Sequence, residues 1–132
     1  RANSSSMEAE CRVLLGKLML DESAGPVDLA GAYEVLQEVS APSWSEGEAT
    51  FYSARCLERG VNGAPDLETA RMLMVRADAN EVEAAAPALA TILTTLAQTA
   101  PAAQAQHLLR EAAYYTRKAK AAEERKLNGD DD

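Results

Sequence analysis

Apolar residues recur three and four positions apart along most of the chain, which is the spacing of one face of an α-helix. The clearest stretches lie on either side of Asp21–Pro26, where Gly25-Pro26 interrupts the pattern. They predict one helix over roughly 6–20 and a second over about 27–40. The positions that carry this prediction are Val13, Leu14 and Leu18, followed by Leu29, Ala32, Leu36 and Val39.

The same pattern returns after 38 residues. The matching pairs are Glu10 and Glu48, Lys17 and Arg55, Met19 and Leu57, Gly25 and Gly63, Asp28 and Asp66, Leu29 and Leu67, Ala32 and Ala70, Val35 and Leu73, and Leu36 and Met74. A third copy follows with a shorter connection. Leu89-Ala90-x-x-Leu93 matches Ser53-Ala54-x-x-Leu57, and the residues that match the second half are Leu108, Leu109, Ala112 and Ala113. Repeats of this length predict stacked helix pairs.

The predicted organisation is a helical domain over 7–127 between two disordered ends, 1–6 and the acidic 128–132. Its repeats span about 7–44, 45–80 and 81–113, and 114–127 extends the last helix. Ser45 with Glu48, and Asn80 with Glu83, have the spacing of a capping box at a helix start. Trp44 is expected to pack the preceding loop against the helix. The last helix is expected to run from after Pro101 to about Leu127 and to end the stack with a polar outer face.

Composition agrees with a purely helical protein. Alanine supplies 27 of the 132 residues and leucine 15, whereas valine and threonine supply seven each and isoleucine one. Alanine and leucine favour helices, and the β-branched and aromatic residues that favour sheets are scarce. Several alanines fall where paired helices should approach closely: Ala54, Ala70, Ala77, Ala90 and Ala112. We therefore expect a thin core, and no apolar run is long enough to span a membrane.

The net charge of -8 is unevenly distributed. Residues 1–109 carry seven basic and 15 acidic side chains, and 110–126 carry six basic and three acidic ones. Nucleic acid is not an expected partner, because the main body lacks the clustered Lys and Arg that bind phosphates. The basic stretch at 117–126 alternates with Glu123 and Glu124, which is typical of a solvated helix face.

Part of the repeat resembles a known family. The residues that carry the resemblance are Leu15-Gly16-x-x-Met19, then Gly60-Val61-x-x-x-x-Asp66-x-x-x-Ala70, and Ala77. Over about 8–113 the chain is similar to the Sel-one-like repeat, a branch of the tetratricopeptide superfamily. It departs from the pattern at the helix glycine (Ala54, Ala90), the aromatic (Met19, Leu57) and the terminal glycine (Asn80). The resemblance implies a right-handed α-solenoid of about three helix-turn-helix repeats with a long C-terminal capping helix.

The resemblance also implies a function. Proteins of this kind are adaptors or scaffolds whose first helices line a concave groove that holds a peptide or a partner's helix. The positions that it marks as partner-binding are Glu10, Val13, Lys17 and Leu20, then Glu48, Phe51, Arg55, Glu58 and Arg59, with Thr91, Thr94 and Thr95 in the third unit. Lys17 and Arg55 would lie one above the other and could hold a carboxylate. The alternative is that these are ordinary solvated charges and that Phe51 belongs to the core.

No catalytic constellation is visible in the sequence. His107 is the single histidine and has no metal ligand or nucleophile at helical spacing. Cys11 and Cys56 lie seven residues apart in the repeat register, which is about 10 Å along a helix, and neighbouring helices add roughly 8–10 Å. A disulfide needs Cα atoms about 4.4–6.8 Å apart, so we expect two free, largely buried thiols. We expect no enzyme activity, no metal and no cofactor.

Two other functions stay open at this level. A tetratricopeptide-type secretion chaperone would hold an export substrate in the same groove. An oligomeric structural component would associate through the long C-terminal helix. The compartment is also open: free thiols slightly favour a reducing one, but a periplasmic protein can keep buried cysteines unpaired. The chain begins at Arg1, so it is expected to be a processed or truncated product.

Overall fold

A computed structural model describes residues 2–39, 45–61 and 63–129, with side chains from Glu8 onward. The described residues form α-helices and one 3₁₀ turn at Glu22–Ala24, without a strand. The helices are α1 (Ala2–Leu20), α2 (Leu29–Gln37), α3 (Glu46–Arg59), α4 (Leu67–Ala79), α5 (Ala85–Gln98) and α6 (Ala102–Leu127). The predicted all-α class is confirmed. No described helix is long and apolar enough to cross a membrane.

Helices that are neighbours in sequence are neighbours in space. The pairs α1 with α2, α3 with α4, and α5 with α6 pack most extensively, as the sequence pattern predicted. Successive pairs contact through α2 with α3 and through α4 with α5, and α1 also packs on α3. Each of the helices α2 to α5 therefore packs against both the helix that precedes it and the helix that follows it.

The buried side chains form two clusters. The larger one surrounds Met74, Leu89 and Ile92 of α4 and α5, and the smaller one contains Leu36 of α2 and Cys56 of α3. The alanines predicted at helix contacts are all buried: Ala54, Ala70, Ala77, Ala90 and Ala112. A Cβ atom at Gly16 would lie 2.7 Å from the Cγ of Leu36, so α1 and α2 approach too closely for a side chain there.

The first two helix pairs turn through the same hydrogen bonds. The Asp28 carboxylate accepts from the Gly31 N–H at 2.9 Å, and the Asp28 N–H donates to the Met19 carbonyl at 3.0 Å. The Asp66 carboxylate accepts from the Thr69 N–H at 3.2 Å, and its N–H donates to the Leu57 carbonyl at 2.9 Å. Each pair of equivalent residues is 38 positions apart. In the third pair, Pro101 precedes α6 without a side-chain cap.

Several predicted boundaries differ from those observed. α1 begins at Ala2 instead of near residue 6, and α2 ends at Gln37 instead of near residue 40. Ser45 precedes α3 as predicted, although its side chain makes no capping hydrogen bond. Asn80 ends α4 and does not start α5, because its Nδ2 atom donates to the Arg76 carbonyl at 2.9 Å. Trp44 and the acidic residues Asp130 to Asp132 lie outside the described part of the chain.

The long helix α6 is held in two ways. Its first half packs on α5 through Leu108 and Ala112, which are buried. Further along, Lys118 donates to Asp78 of α4 at 2.6 Å, and Lys126 pairs with Glu83 of the loop between α4 and α5. The hydrogen bond to Asp78 raises the pKa of Lys118. The predicted polar outer face of α6 is only partly polar, since the exposed residues there include Leu109 and Tyr114.

Candidate partner-binding surface

The predicted residues of α1 divide between the surface and the core. Lys17 is half-buried, and its ammonium group lies 5.5 Å from the centre of the Tyr52 ring on α3. This distance allows a cation–π interaction. Glu10 is exposed, whereas Leu20 is half-buried and packs against the smaller cluster. Val13 is 3% exposed, so a partner could not reach it in this conformation.

The predicted residues of α3 surround an aromatic pair. The Phe51 and Tyr52 rings meet edge to face with centres 4.9 Å apart, a favourable arrangement. The Arg55 guanidinium lies 6.0 Å from the centre of the Phe51 ring and 3.5 Å from a Glu58 carboxylate oxygen. Phe51 is 8% exposed and belongs to the larger cluster. It therefore lies in the core, which was the predicted alternative to a partner-binding role.

Two further charges of α3 face different environments. The Glu58 side chain is partly buried, and its Oε2 atom has no hydrogen-bond partner among the described residues. Burial raises the pKa of this carboxyl, and the positive charge of Arg55 opposes the rise. Arg59 lies 3.9 Å from Glu22, in the turn that follows α1. The unpaired Oε2 atom is itself buried, so an incoming donor could not reach it in this conformation.

The threonines of α5 are exposed, but their hydroxyl groups are engaged within the helix. Thr91 donates to the Pro87 carbonyl at 3.2 Å, and Thr94 donates to the Ala90 carbonyl at 2.8 Å. Thr95 donates to the Thr91 carbonyl at 3.0 Å. Each hydroxyl oxygen can still accept a hydrogen bond from solvent. The hydroxyl protons are already used within the helix, so these threonines offer a partner acceptors but no donors.

A cleft adjoins the aromatic pair. It has a volume of about 390 Å³ and is lined by Gly47, Glu48, Phe51 and Tyr52 of α3 and by the loop at 80–84. We call it the α3 cleft. A Cβ atom at Gly47 would lie 3.0 Å from Val82 Cγ2 and 3.1 Å from Asn80 Cβ. Gly47 therefore lets the loop pass close to α3.

Carboxylates border the α3 cleft. Glu48, Glu81 and Glu83 are all exposed along its lining, and Glu83 pairs with Lys126. Glu81 has a backbone φ of 66°, in the left-handed region that costs a residue with a side chain about 1–2 kcal/mol. The arrangement favours a positively charged group in the cleft. The sequence pattern indicates Glu48 and Phe51 but not the loop, because Asn80 and Glu83 have the capping-box spacing of a helix start.

The residues considered for chemistry are dispersed. His107 is exposed, and its Nε2 atom lies 3.9 Å from a Glu111 oxygen. Within the described ranges, no group of three or more His, Cys, Asp or Glu side chains is placed to hold a metal ion. Both cysteines are free thiols, as predicted, but Cys11 is exposed and not buried. Cys56 is buried, and burial raises the pKa of its thiol to about 11 against the opposing charge of Arg59.

Comparison with known proteins adds no relative to these observations. No protein-family model matches the chain, and comparisons with curated proteins and with solved structures also give no match.

Proposed function

We propose that this chain is a non-catalytic protein-binding module of the Sel-one-like type, an α-solenoid that acts as an adaptor or scaffold. The equivalence of the first two helix pairs supports this proposal, since Asp28 and Asp66 make the same hydrogen bonds at the same place in each pair. The packing of each helix on its sequence neighbours is also what a stack of helix pairs requires. The ligand is a peptide or a helix of a partner protein.

The ligand lies along α3 and the Lys17 side of α1 and inserts a basic side chain into the α3 cleft. One observation carries this assignment: Lys17 and Arg55 lie over the two rings of the Phe51 and Tyr52 pair, directly beside a cleft bordered by carboxylates. The surface thus presents an anionic cleft next to two cations. A segment with a basic residue and a nearby acidic residue or terminal carboxyl would complement both charges.

The experiment begins with selection of peptides from a displayed random library on the purified chain. Selected peptides are then titrated against the wild type and against the Lys17→Glu/Arg55→Glu and Glu48→Lys variants. We expect both variants to bind at least tenfold more weakly, while their circular dichroism and thermal midpoints stay close to those of the wild type. Lys120→Glu, at an exposed position of α6, is the matched control and should bind normally.

The selected sequences provide a second test. Enrichment of peptides that carry a lysine or arginine near an acidic residue or a free carboxyl terminus would support the proposed ligand chemistry. If no peptide is enriched, or if the charge-reversed variants bind the selected peptides as well as the wild type does, the assignment of this surface is wrong.

A further inference from the structure

α1 presents an apolar face that no part of the described structure covers. Leu14, Leu15 and Leu18 are 58%, 48% and 57% exposed, and Cys11 is exposed beside them. The four residues are spaced by three, four and seven positions, so they share one side of the helix. The opposite side of α1 carries Val13, which is buried in the smaller cluster. α1 is therefore apolar on two opposite faces.

The repeat register shows what this face does elsewhere in the molecule. The residues of α3 that are 38 positions further along are Ala49, Tyr52, Ser53 and Cys56. Ala49, Ser53 and Cys56 are buried and Tyr52 is half-buried, because the first helix pair packs against them. Gln37 of α2 donates to the Ser53 hydroxyl at 3.0 Å across this contact. The face of α1 is thus the equivalent of a face that another helix pair covers in the next unit.

The outer side of α6 carries a second exposed apolar patch. Leu109 and Tyr114 are 48% and 53% exposed, and Ala113 is exposed between them. Arg110, Tyr114 and Arg117 follow one another along the helix at spacings of four and three, so they lie on one side of α6. Both arginines are exposed and have no ion-pair partner in the described ranges. The outer side of α6 therefore carries apolar and basic side chains together.

The border of the α1 face has the opposite charge. Glu8 and Glu10 precede the leucines by about one turn, and Asp21 and Glu22 follow them; all four are exposed. The two basic residues nearest the face are already engaged, Arg12 with Glu38 at 3.3 Å and Lys17 with the Tyr52 ring. Two copies that met through their α1 faces would bring acidic borders together, which is unfavourable.

We propose that copies of this chain associate head to tail, with the outer face of α6 of one copy packed on the α1 face of the next. One contact then covers both apolar patches and pairs the arginines of α6 with the acidic border of α1. Since the two surfaces are different, the association is heterologous and continues from copy to copy until it closes into a ring or extends as a filament. This association does not involve the α3 cleft.

The test blocks one surface at a time in the full chain. Leu14→Glu/Leu18→Glu closes the α1 face, and Leu109→Glu/Tyr114→Glu closes the α6 face. In sedimentation velocity we expect the wild type to form species larger than a dimer as its concentration rises, and each variant alone to stay monomeric. An equimolar mixture of the two variants should form a one-to-one dimer and nothing larger, because only one intact surface of each kind remains. All these residues are exposed, so circular dichroism should show folded variants.

Two controls complete the experiment. Met72→Glu/Val75→Glu changes a comparable exposed pair on α4 and should assemble like the wild type. A maleimide should label Cys11 severalfold more slowly once the wild type assembles. Added salt screens the charges and should restore the original labelling rate. A wild type that stays monomeric at every measurable concentration overturns the proposal. Self-association of either variant alone, or a mixture that stays monomeric, also overturns it.

Discussion

Asp28 and Asp66, which lie 38 residues apart, occupy the same position in two successive helix pairs and cap α2 and α4 through the same hydrogen bonds. Their backbone angles also agree, with φ and ψ of -121° and 87° at Asp28 and -114° and 80° at Asp66. The two turns are thus one structural unit used twice.

The two caps should contribute equally and independently to stability. Replacing either aspartate by alanine removes the acceptor of a backbone N–H at the start of the helix, and we expect each change to lower the free energy of unfolding by about 1 kcal/mol. Because the two aspartates share no hydrogen-bond partner, the double variant should lose about the sum. Urea unfolding followed by circular dichroism measures this. A loss confined to one of the two positions would show that the turns are not energetically equivalent.

Overfilling the contact between α3 and α4 should be costly. Ala70 is fully buried, so leucine at this position would force the helices apart and lower the free energy of unfolding by about 1–3 kcal/mol. Ala79→Leu, at an exposed position of the same helix, is the control and should change stability by less than about 0.5 kcal/mol. Thermal unfolding of both variants tests the comparison, and equal stabilities would mean that the contact can expand without cost.

Glycine at position 81 should stabilise the loop between α4 and α5. The left-handed backbone of Glu81 costs about 1–2 kcal/mol, which glycine avoids. The greater conformational freedom of glycine in the unfolded chain offsets about half of this stabilisation. We expect Glu81→Gly to raise the free energy of unfolding by about 0.5–1 kcal/mol. Glu34→Gly, within α2, should instead lower it by about 1 kcal/mol. Stabilities that move in the same direction for both variants would contradict this account.

The burial of Glu58 should make stability depend on pH. Its pKa is raised in the folded state, so the folded protein holds this proton more tightly than the unfolded chain does. The corresponding stability is fully present below pH 4.5, the ordinary pKa of a glutamate, and is lost as the pH rises through the folded-state value. Glu58→Gln should therefore be more stable than the wild type at pH 7, by less than about 1 kcal/mol, and should lose this advantage in acid.

Unfolding of both proteins between pH 3 and pH 7 provides the measurement for Glu58. Glu48→Gln is the matched control on α3, since Glu48 is exposed. A pH-independent difference for Glu58→Gln would show that the carboxyl is solvated in the folded protein.

The two thiols should differ strongly in reactivity. Cys11 is exposed, whereas Cys56 is buried and burial raises its pKa to about 11, so little of its reactive thiolate forms near neutral pH. A thiol reagent at pH 7.5 should modify one residue of the native monomer rapidly, and Cys11→Ser should abolish that phase. Cys56 should react only after unfolding. Rapid modification of Cys56 in the native protein would contradict its burial.

Much of the fold follows from short-range signals. The 3.6-residue periodicity and the Asp28 and Asp66 caps are local, so the sequence predicts the helix pairs and their turns. The capping-box spacing at Asn80 does not mark a helix start here, for a chemical reason. An asparagine side chain can donate as well as accept a hydrogen bond, and the Asn80 amide donates to a carbonyl at the end of α4. The sequence alone does not show whether the Asn80 side chain accepts at the start of one helix or donates at the end of another.

The candidate site depends on contacts between distant parts of the chain. The α3 cleft exists because the loop at 80–84 passes close to Gly47, and no local pattern around Gly47 reveals which loop will do so. The exposure of Cys11 has a similar origin. Its equivalent in the second unit is Ala49, which is buried, so the register predicts a buried position and does not show that no described helix packs over Cys11.

The two kinds of attachment along α6 have a consequence for how this helix responds to its surroundings. Leu108 and Ala112 hold its first half by apolar packing, which salt hardly weakens, whereas Lys118 and Lys126 hold its second half through ion pairs that salt screens. One continuous helix thus has a gradient of local stability, and ionic strength acts mainly on its C-terminal end. Amide hydrogen exchange along α6 should therefore show that the protected part of the helix becomes shorter at its C-terminal end as the salt concentration rises.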